Sequence, residues 1–334
     1  MTVTTTEDLA QRYPNVPGPV PRKLDDVPGW LTVTDNMLFE YLLTRQTKVE
    51  APGDLCEMGV YQGRSAIHIG RYRQPGEKFT VCDLFDFARD EETIRPGARK
   101  AYATLTQDTF ERNYLAFLDE LPTVVRGLSE VITEHVEPGS CRFIHIDASH
   151  MYEHVHGDML SARKLLRENG VVVFDDYRTE HCPGTAAAVW EAMAKYDLNA
   201  IACSANKFYG TWGDATKIQD DLIAHVATLG NHRCDVQEVM GQRLVRLAKV
   251  NPKTPANSDA KAAVKPAANA SESAALLAQS QEVLETAQRV LRNAASQSRR
   301  PGKPDPNAPA WRRMTVAVLP PVVTGMIRKQ RRGN

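Results

Sequence analysis

GDLCEMGVYQGRS, residues 53–65, decides how this chain folds. A short apolar run stops at Gly59, and Gly63 opens an apolar helical pattern; a strand that turns through glycine into a helix is the first half of a βαβ unit. Working outward, KFTVCDLF (78–85), FIHIDAS (143–149) and GVVVFDDY (170–177) read as further strands, while MYEHVHGDMLSARKLLREN (151–169) and TAAAVWEAMAKY (185–196) read as helices. Alternation of this kind predicts an α/β fold: a mostly parallel sheet with right-handed crossovers and helices on both faces. Ligands of such sheets collect beyond the carboxyl ends of the strands, so the residues that follow each strand carry the functional argument.

Composition sets the outer limits. The chain has 334 residues, 41 basic against 41 acidic, so no whole-surface attraction to nucleic acid is expected. No apolar run reaches the length of a spanning helix, and the opening MTVTTTEDLAQRYPNV lacks the basic and apolar blocks of a secretory signal, which makes the cytoplasm the expected compartment. The six cysteines contain no C-x-x-C pair and read as small buried hydrophobes.

At the first strand end, Glu57, Gly59, Gly63 and Ser65 form E-x-G-x-x-x-G-x-S. Glycines there let backbone approach a ligand closely, and an acid before them suits an ammonium group better than a pyrophosphate. The same pattern also serves plain strand-to-helix turns. The dinucleotide pattern G-x-G-x-x-G is not satisfied, because Glu57 stands where its first glycine belongs. Asp83, twenty positions beyond Gly63, ends the second strand where an acid accepts both hydroxyl protons of a ribose, although a loop acid or helix cap reads the same way. Together the two motifs favour a nucleoside ligand. The segment Val125 to Ser129, read as following a third strand, is a candidate border for its adenine.

The fourth strand ends in Asp147-Ala148-Ser149-His150 and the fifth, 28 residues later, in Asp175-Asp176-Tyr177. Each acid alone could cap a helix, but three carboxylates at neighbouring strand ends repel unless a cation sits among them, and an all-oxygen set suits Mg²⁺. His150, three residues past Asp147, has the pKa range of a general base. His145 alternates with Asp147 and reads as packed; His154 and His156 read as solvated.

These residues resemble a family. Glu57 to Ser65, Asp83, IDASHMYEHVHGDM (146–159) and VVVFDDY with PGTAAAV (171–189) are similar to class I S-adenosylmethionine-dependent O-methyltransferases. The likeness is greatest to the metal-dependent branch that includes macrocin and mycinamicin sugar methyltransferases and mycobacterial polysaccharide methyltransferases. Ala148 replaces a frequent glycine, and Asn169-Gly170 a Gly-Gly turn. The resemblance implies a Rossmann-like sheet of seven strands, S-adenosylmethionine held by Glu57, Gly59, Gly63, Ser65, Asp83 and Ser129, a divalent cation on Asp147, Asp175 and Asp176, and His150 as base. The expected activity is Mg²⁺-dependent methylation of a hydroxyl on a sugar, glycosylated natural product or glycolipid. Two rivals are a non-catalytic scaffold on the same body and a nicotinamide-dependent oxidoreductase; the second leaves the three acids unexplained.

The expected organisation is a substrate-covering segment at 1–49, the methyltransferase domain at 50–250, a disordered linker at 251–270, an amphipathic helix at 271–297 with rows such as Leu277, Leu284 and Leu291 at seven-residue spacing, and a basic, apolar tail at 298–334. Trp311 and the cations around the tail's apolar run fit peripheral contact with an anionic membrane at its cytoplasmic face, while a basic terminus that aids solubility or meets a protein fits equally. A homo-oligomer is compatible with the helix.

Overall fold

The computed structural model describes residues 5–49, 52–85 and 105–250. The expected linker, amphipathic helix and tail lie outside the described residues.

Nine strands form one sheet: β1 (Asp54–Met58), β2 (Phe79–Asp83), β3 (Thr123–Arg126), β4 (Cys141–Ile146), β5 (Leu166–Phe174), β6 (Asn199–Cys203), β7 (Phe208–Thr211), β8 (His232–Val239) and β9 (Gln242–Lys249). Their order is β3-β2-β1-β4-β5-β7-β6-β9-β8. The first five are parallel, and β7 runs antiparallel to both β5 and β6. The expected seven strands are therefore present in a doubly wound arrangement. The β8–β9 hairpin extends the sheet by two more, with β9 parallel to β6.

Seven helices accompany the strands among the described residues: α1 (Thr6–Arg12), α2 (Val33–Val49), α3 (Arg64–Gly70), α4 (Gln107–Leu115), α5 (Tyr152–Leu165), α6 (Pro183–Lys195) and α7 (Thr216–Ala227). Strand periodicity sorts the core into two layers. Leu55, Phe143, Val171 and Val173 point to the face covered by α2, α3, α4 and α7, where Phe39, Ile67, Phe110 and Leu222 are buried. Cys56, Ile144, Val172 and Phe174 point the other way, onto Val155 and Met159 of α5 and Val189 of α6. By the same alternation, Glu57 and His145 fall on the α2 face among apolar neighbours.

Three local expectations change. The helix expected over 151–169 stops at Leu165, because Leu166 takes an extended conformation (φ −76°, ψ 135°) and enters β5 directly, opposite Cys141 of β4. Asn169 and Gly170 thus lie in β5 rather than in a turn. Val125 and Arg126 belong to β3 itself, paired with Cys82 and Asp83.

The amino-terminal segment folds onto α3 and α4. Thr5 and Asp8 close a capping box on α1, with Asp8 N donating to Thr5 Oγ1 at 3.1 Å and Thr5 N to Asp8 Oδ2 at 2.9 Å. Leu9, Tyr13, Val16 and Val20 cluster with Leu115. Buried Arg112 donates to the carbonyls of Val16 and Gly18, each at 3.0 Å. Further along, Arg64 donates to the Gly29 carbonyl at 3.1 Å and pairs with Asp25. No helix among the described residues is long and apolar enough to cross a membrane.

Candidate active site

The carboxyl ends of β1, β2, β4 and β5 meet at one rim. Gly59, which ends β1, has φ +84°, and a Cβ there would lie 2.3 Å from the Asp147 carbonyl oxygen. Only glycine lets the β1 and β4 ends approach this closely. Asp147 N donates to the Met58 carbonyl at 2.7 Å, and Asp175 N to the Ile146 carbonyl at 3.0 Å, so backbone bonds between adjacent strands align the acids. Gly63 (φ +96°) precedes α3, and a Cβ there would press on the Phe110 ring at 3.0 Å.

Asp83 organises the turn between these glycines. Its Oδ2 accepts from Val60 N at 2.8 Å and Tyr61 N at 3.0 Å, and its Oδ1 accepts from Phe85 N at 3.0 Å. Burial raises its pKa against the pull of these amides. The Leu84 amide also favours the charged form, so backbone donors surround this carboxylate. Ser129 starts a 3₁₀ turn after β3 and bonds toward Asp158 of α5, whose pKa burial pushes up to about 6.

Glu57 is fully buried and bonds His145 Nδ1 through Oε1 at 2.7 Å. His145 Nε2 meets Lys207 Nζ at 2.9 Å, and Lys207 Nζ lies 2.6 Å from Asp175 Oδ1. An ammonium has only donors, so Nε2 must accept and Nδ1 carries the proton given to Glu57. The result is a buried polar chain, Glu57, His145, Lys207, Asp175, linking the glycine turn to the acid pair. Burial pushes Glu57 well up and His145 well down. Ser65, in the first turn of α3, counters the rise at Glu57. Burial would also strip Lys207 of its proton, but Asp175, Asp147 and Asp35 outweigh it and raise its pKa. Its place is set by the tight β6–β7 connection, where Ser204 Oγ accepts from Lys207 N at 2.9 Å, and by the Phe39 ring 5.8 Å away.

Sequence reasoning singled out neither Lys207 nor the role of His145. A lysine just before the β-rich run FYGT, where a buried strand starts, was the one available signal.

Burial and the neighbouring Asp175 charge push Asp147 up to about 7. Burial pulls Asp175 the same way, yet Lys207 and the other hydrogen-bond partners hold it at about 2. One ammonium thus satisfies one carboxylate, and a second cation would relieve the raised pKa of Asp147. Asp176 sits at φ +51°, held by Thr179, whose N and Oγ1 donate to its carbonyl at 3.3 and 2.9 Å. His150 Nε2 lies 3.2 Å from Asp176 Oδ2 and 3.7 Å from Asp147 Oδ1. Desolvation alone would lower the imidazole pKa, but Asp147, Asp176 and Asp175 raise it. Its Nε2 is buried without a well-aligned hydrogen-bond partner. The raised pKa of Asp147, this orphaned nitrogen and the carboxylates of Asp147 and Asp175, which lie within 4.8 Å of each other, fit a hard divalent cation, whereas Asp176 falls in a separate close group with His150 and Cys182.

Five of the nominated residues therefore share one rim or its edge: Asp147, His150, Asp175, Asp176 and Gly59. Gly63 and Ser65 stand behind them at the start of α3; Glu57 and Asp83 face inward to protein partners; Ser129 lies against α5. His145 is packed as expected, and His154 is exposed. His156 is half-buried rather than solvated, with Nε2 3.3 Å from the Tyr196 hydroxyl. Above the glycine turn, the Trp30 ring packs on Tyr61 at 5.3 Å between centroids while remaining 68% exposed.

No curated protein matches the chain. Among solved structures, the O-methyltransferase NovP is 22% identical over 55% of this chain and 81% of its own, with a TM-score of 0.44. CalS11, a TDP-rhamnose 3′-O-methyltransferase of calicheamicin biosynthesis, is 20% identical over 63% and 93%, with a TM-score of 0.38. SAH-bound PaMTH1 of Podospora anserina is 14% identical over 64% and 99%, with a TM-score of 0.41. The stretch from β1 through the Asp175-Asp176 corner, residues 56–177, matches the family model described as a methyltransferase domain.

Proposed function

We propose that this chain is an S-adenosylmethionine-dependent O-methyltransferase that acts, with Mg²⁺, on a hydroxyl of a sugar or glycosylated natural product or glycolipid. The observation that carries this reading is the meeting of His150 with Asp147 and Asp176 beside the Gly59 to Gly63 turn, within the segment that matches a methyltransferase domain. Asp147, Asp175 and Asp176 would hold the metal, which when bound would lower the pKa of an acceptor hydroxyl. His150, with its pKa raised by the surrounding acids, takes the hydroxyl proton on Nε2. Lys207 holds Asp175 ionised and turned toward Asp147. The glycine turn, tied down by Asp83, would leave backbone room for the donor, and Ser129 and Leu128 would border its adenine. The donor arrives already activated, so most of the acceleration is alignment of two partners in a cleft that excludes water.

The exposed Trp30 ring over Tyr61 supports a sugar acceptor, because an aromatic face stacks on the apolar face of a pyranose. The decisive experiment incubates the full chain with labelled S-adenosylmethionine and a panel of nucleotide sugars, glycosides and glycolipids. Label on a sugar oxygen that disappears with EDTA and returns with Mg²⁺ is expected; full turnover after exhaustive chelation rejects the metal, and label on nitrogen or carbon rejects the O-acceptor.

A further inference from the structure

Beyond the three carboxylates lies a donor set of a different character. Cys182 immediately precedes α6 and is 1% exposed. Its Sγ is directed at Asp176 Oδ2, 3.6 Å away, on the side of that oxygen that also faces His150 Nε2 at 3.2 Å. One ligand atom from each of the three lies within 4.8 Å of the other two. Tetrahedral zinc, with bonds of about 2.0–2.1 Å to nitrogen or oxygen and about 2.3 Å to sulfur, needs nitrogen and oxygen donors about 3.3 Å apart and sulfur about 3.6 Å from either. The two measured separations already satisfy this, and the third, from the sulfur to an imidazole nitrogen, is no more than 4.8 Å.

We infer that His150, Asp176 and Cys182 form a site for a soft divalent cation such as Zn²⁺, overlapping the oxygen site at Asp176 and blocking methyl transfer when filled. Three protein donors of mixed nitrogen, oxygen and sulfur type, with a fourth position open at the rim, suit zinc and disfavour Mg²⁺, which wants oxygen and water. His150 Nε2 is buried without a well-aligned hydrogen-bond partner and already faces Asp176 Oδ2, so the ion would bridge two groups that now meet directly. The Cys182 thiol and any protonated His150 imidazole give their protons to water and bind as thiolate and neutral imidazole; no electron changes hands. The block follows because Nε2 cannot both hold the ion and accept a proton, and this part rests on the function proposed above; the site itself does not.

The test titrates Zn²⁺ into the full chain against a chelating dye, with Co²⁺ as a spectroscopic stand-in. Wild type is expected to bind tightly and to show a thiolate-to-cobalt charge-transfer band in the near ultraviolet. Cys182→Ala is expected to lose the band and at least about 100-fold in affinity, since loss of outer contacts alone costs about 10–100-fold. Cys182→Ser, which keeps a small polar side chain at the helix start, guards against misfolding and is expected to lose the same band with an unchanged melting temperature. Cys234→Ala, a half-buried cysteine on β8, is expected to behave as wild type. Wild type without zinc binding, or a folded Cys182→Ser that retains band and affinity, overturns the site. In the activity arm, Zn²⁺ is expected to inhibit wild type while sparing Cys182→Ala. If wild type transfers no methyl group to any acceptor while the band still depends on Cys182, the proposed function fails and the site stands.

Discussion

Replacing Lys207 by methionine removes the ammonium from the buried acid cluster while keeping an unbranched apolar stem one atom shorter. Asp175 Oδ1 sits 2.6 Å from Nζ, and both side chains are almost fully buried. Two unit charges at about 3 Å attract by about 5–6 kcal/mol at an effective dielectric of about 20, before the cost of burying them. The carboxyl gives a second measure: holding Asp175 at about 2, below its ordinary 3.8, corresponds to about 2–3 kcal/mol. Removing one partner of a buried pair costs about 3–5 kcal/mol, between these figures. For a body of this size the melting temperature should fall by about 6–20 °C. The pH dependence separates this from a simple packing defect. In wild type the Asp175 carboxyl is depressed, so its contribution is complete above the unfolded pKa and fades as pH falls toward about 2. In Lys207→Met the buried carboxyl sits above its unfolded value, so its penalty is absent in acid and grows as pH rises. Melting in chelator-treated buffer should therefore show a gap between the two proteins that is widest near pH 7 and at least halved near pH 4. Equal melting temperatures, or a gap that ignores pH, would refute the role given to Lys207.

His150→Ala should depress kcat by about 10²–10⁴ and leave S-adenosylmethionine affinity nearly intact in calorimetry, since the imidazole touches the acids rather than the donor turn. An unchanged kcat would make the residue structural. Asp83→Ala frees the Val60, Tyr61 and Phe85 amides, among others, and should weaken donor binding by about 1.5–3 kcal/mol while lowering the melting temperature; normal donor affinity in a destabilised protein would confine Asp83 to the turn. Gly59→Ala places a methyl carbon against the Asp147 carbonyl at a strained φ, and a cost above about 3 kcal/mol should leave little soluble protein; wild-type expression and melting would contradict the close approach of β1 and β4.

Much of the site was legible because strand ends announce themselves: a β-rich run that stops at an acid, followed by a helical pattern, marks both position and direction. Asp147, Asp175, Asp176 and His150 could be nominated this way from spacing alone. What spacing cannot show is which way a side chain is already spoken for. Glu57 looks wholly open to a ligand on paper, yet its even spacing from Leu55 places it in the α2 layer, where His145 takes Oε1 while Oε2 is left without a hydrogen-bond partner. Lys207 arrives from a hairpin 32 residues downstream of Asp175, and only the insertion of β7 beside β5 brings it to the acids. The helix end at Leu165 was hidden for another reason: apolar spacing continues into Leu166, but pairing with β4 overrides the local preference for helix.

The β8–β9 hairpin has a consequence for colloidal behaviour. Without it, the sheet would terminate at β6, whose Ala200, Ile201 and Ala202 are buried and whose unpaired amides would offer a flat, sticky template to other chains. With it, the outermost strand is β8, where Arg233, Asp235, Gln237 and Glu238 supply charge and polarity, and Arg246 of β9 reaches across to Asp235 at 2.9 Å. The fold thus trades an adhesive border for a charged one, and Val250 N donates to the Asn231 carbonyl across the open end of the hairpin.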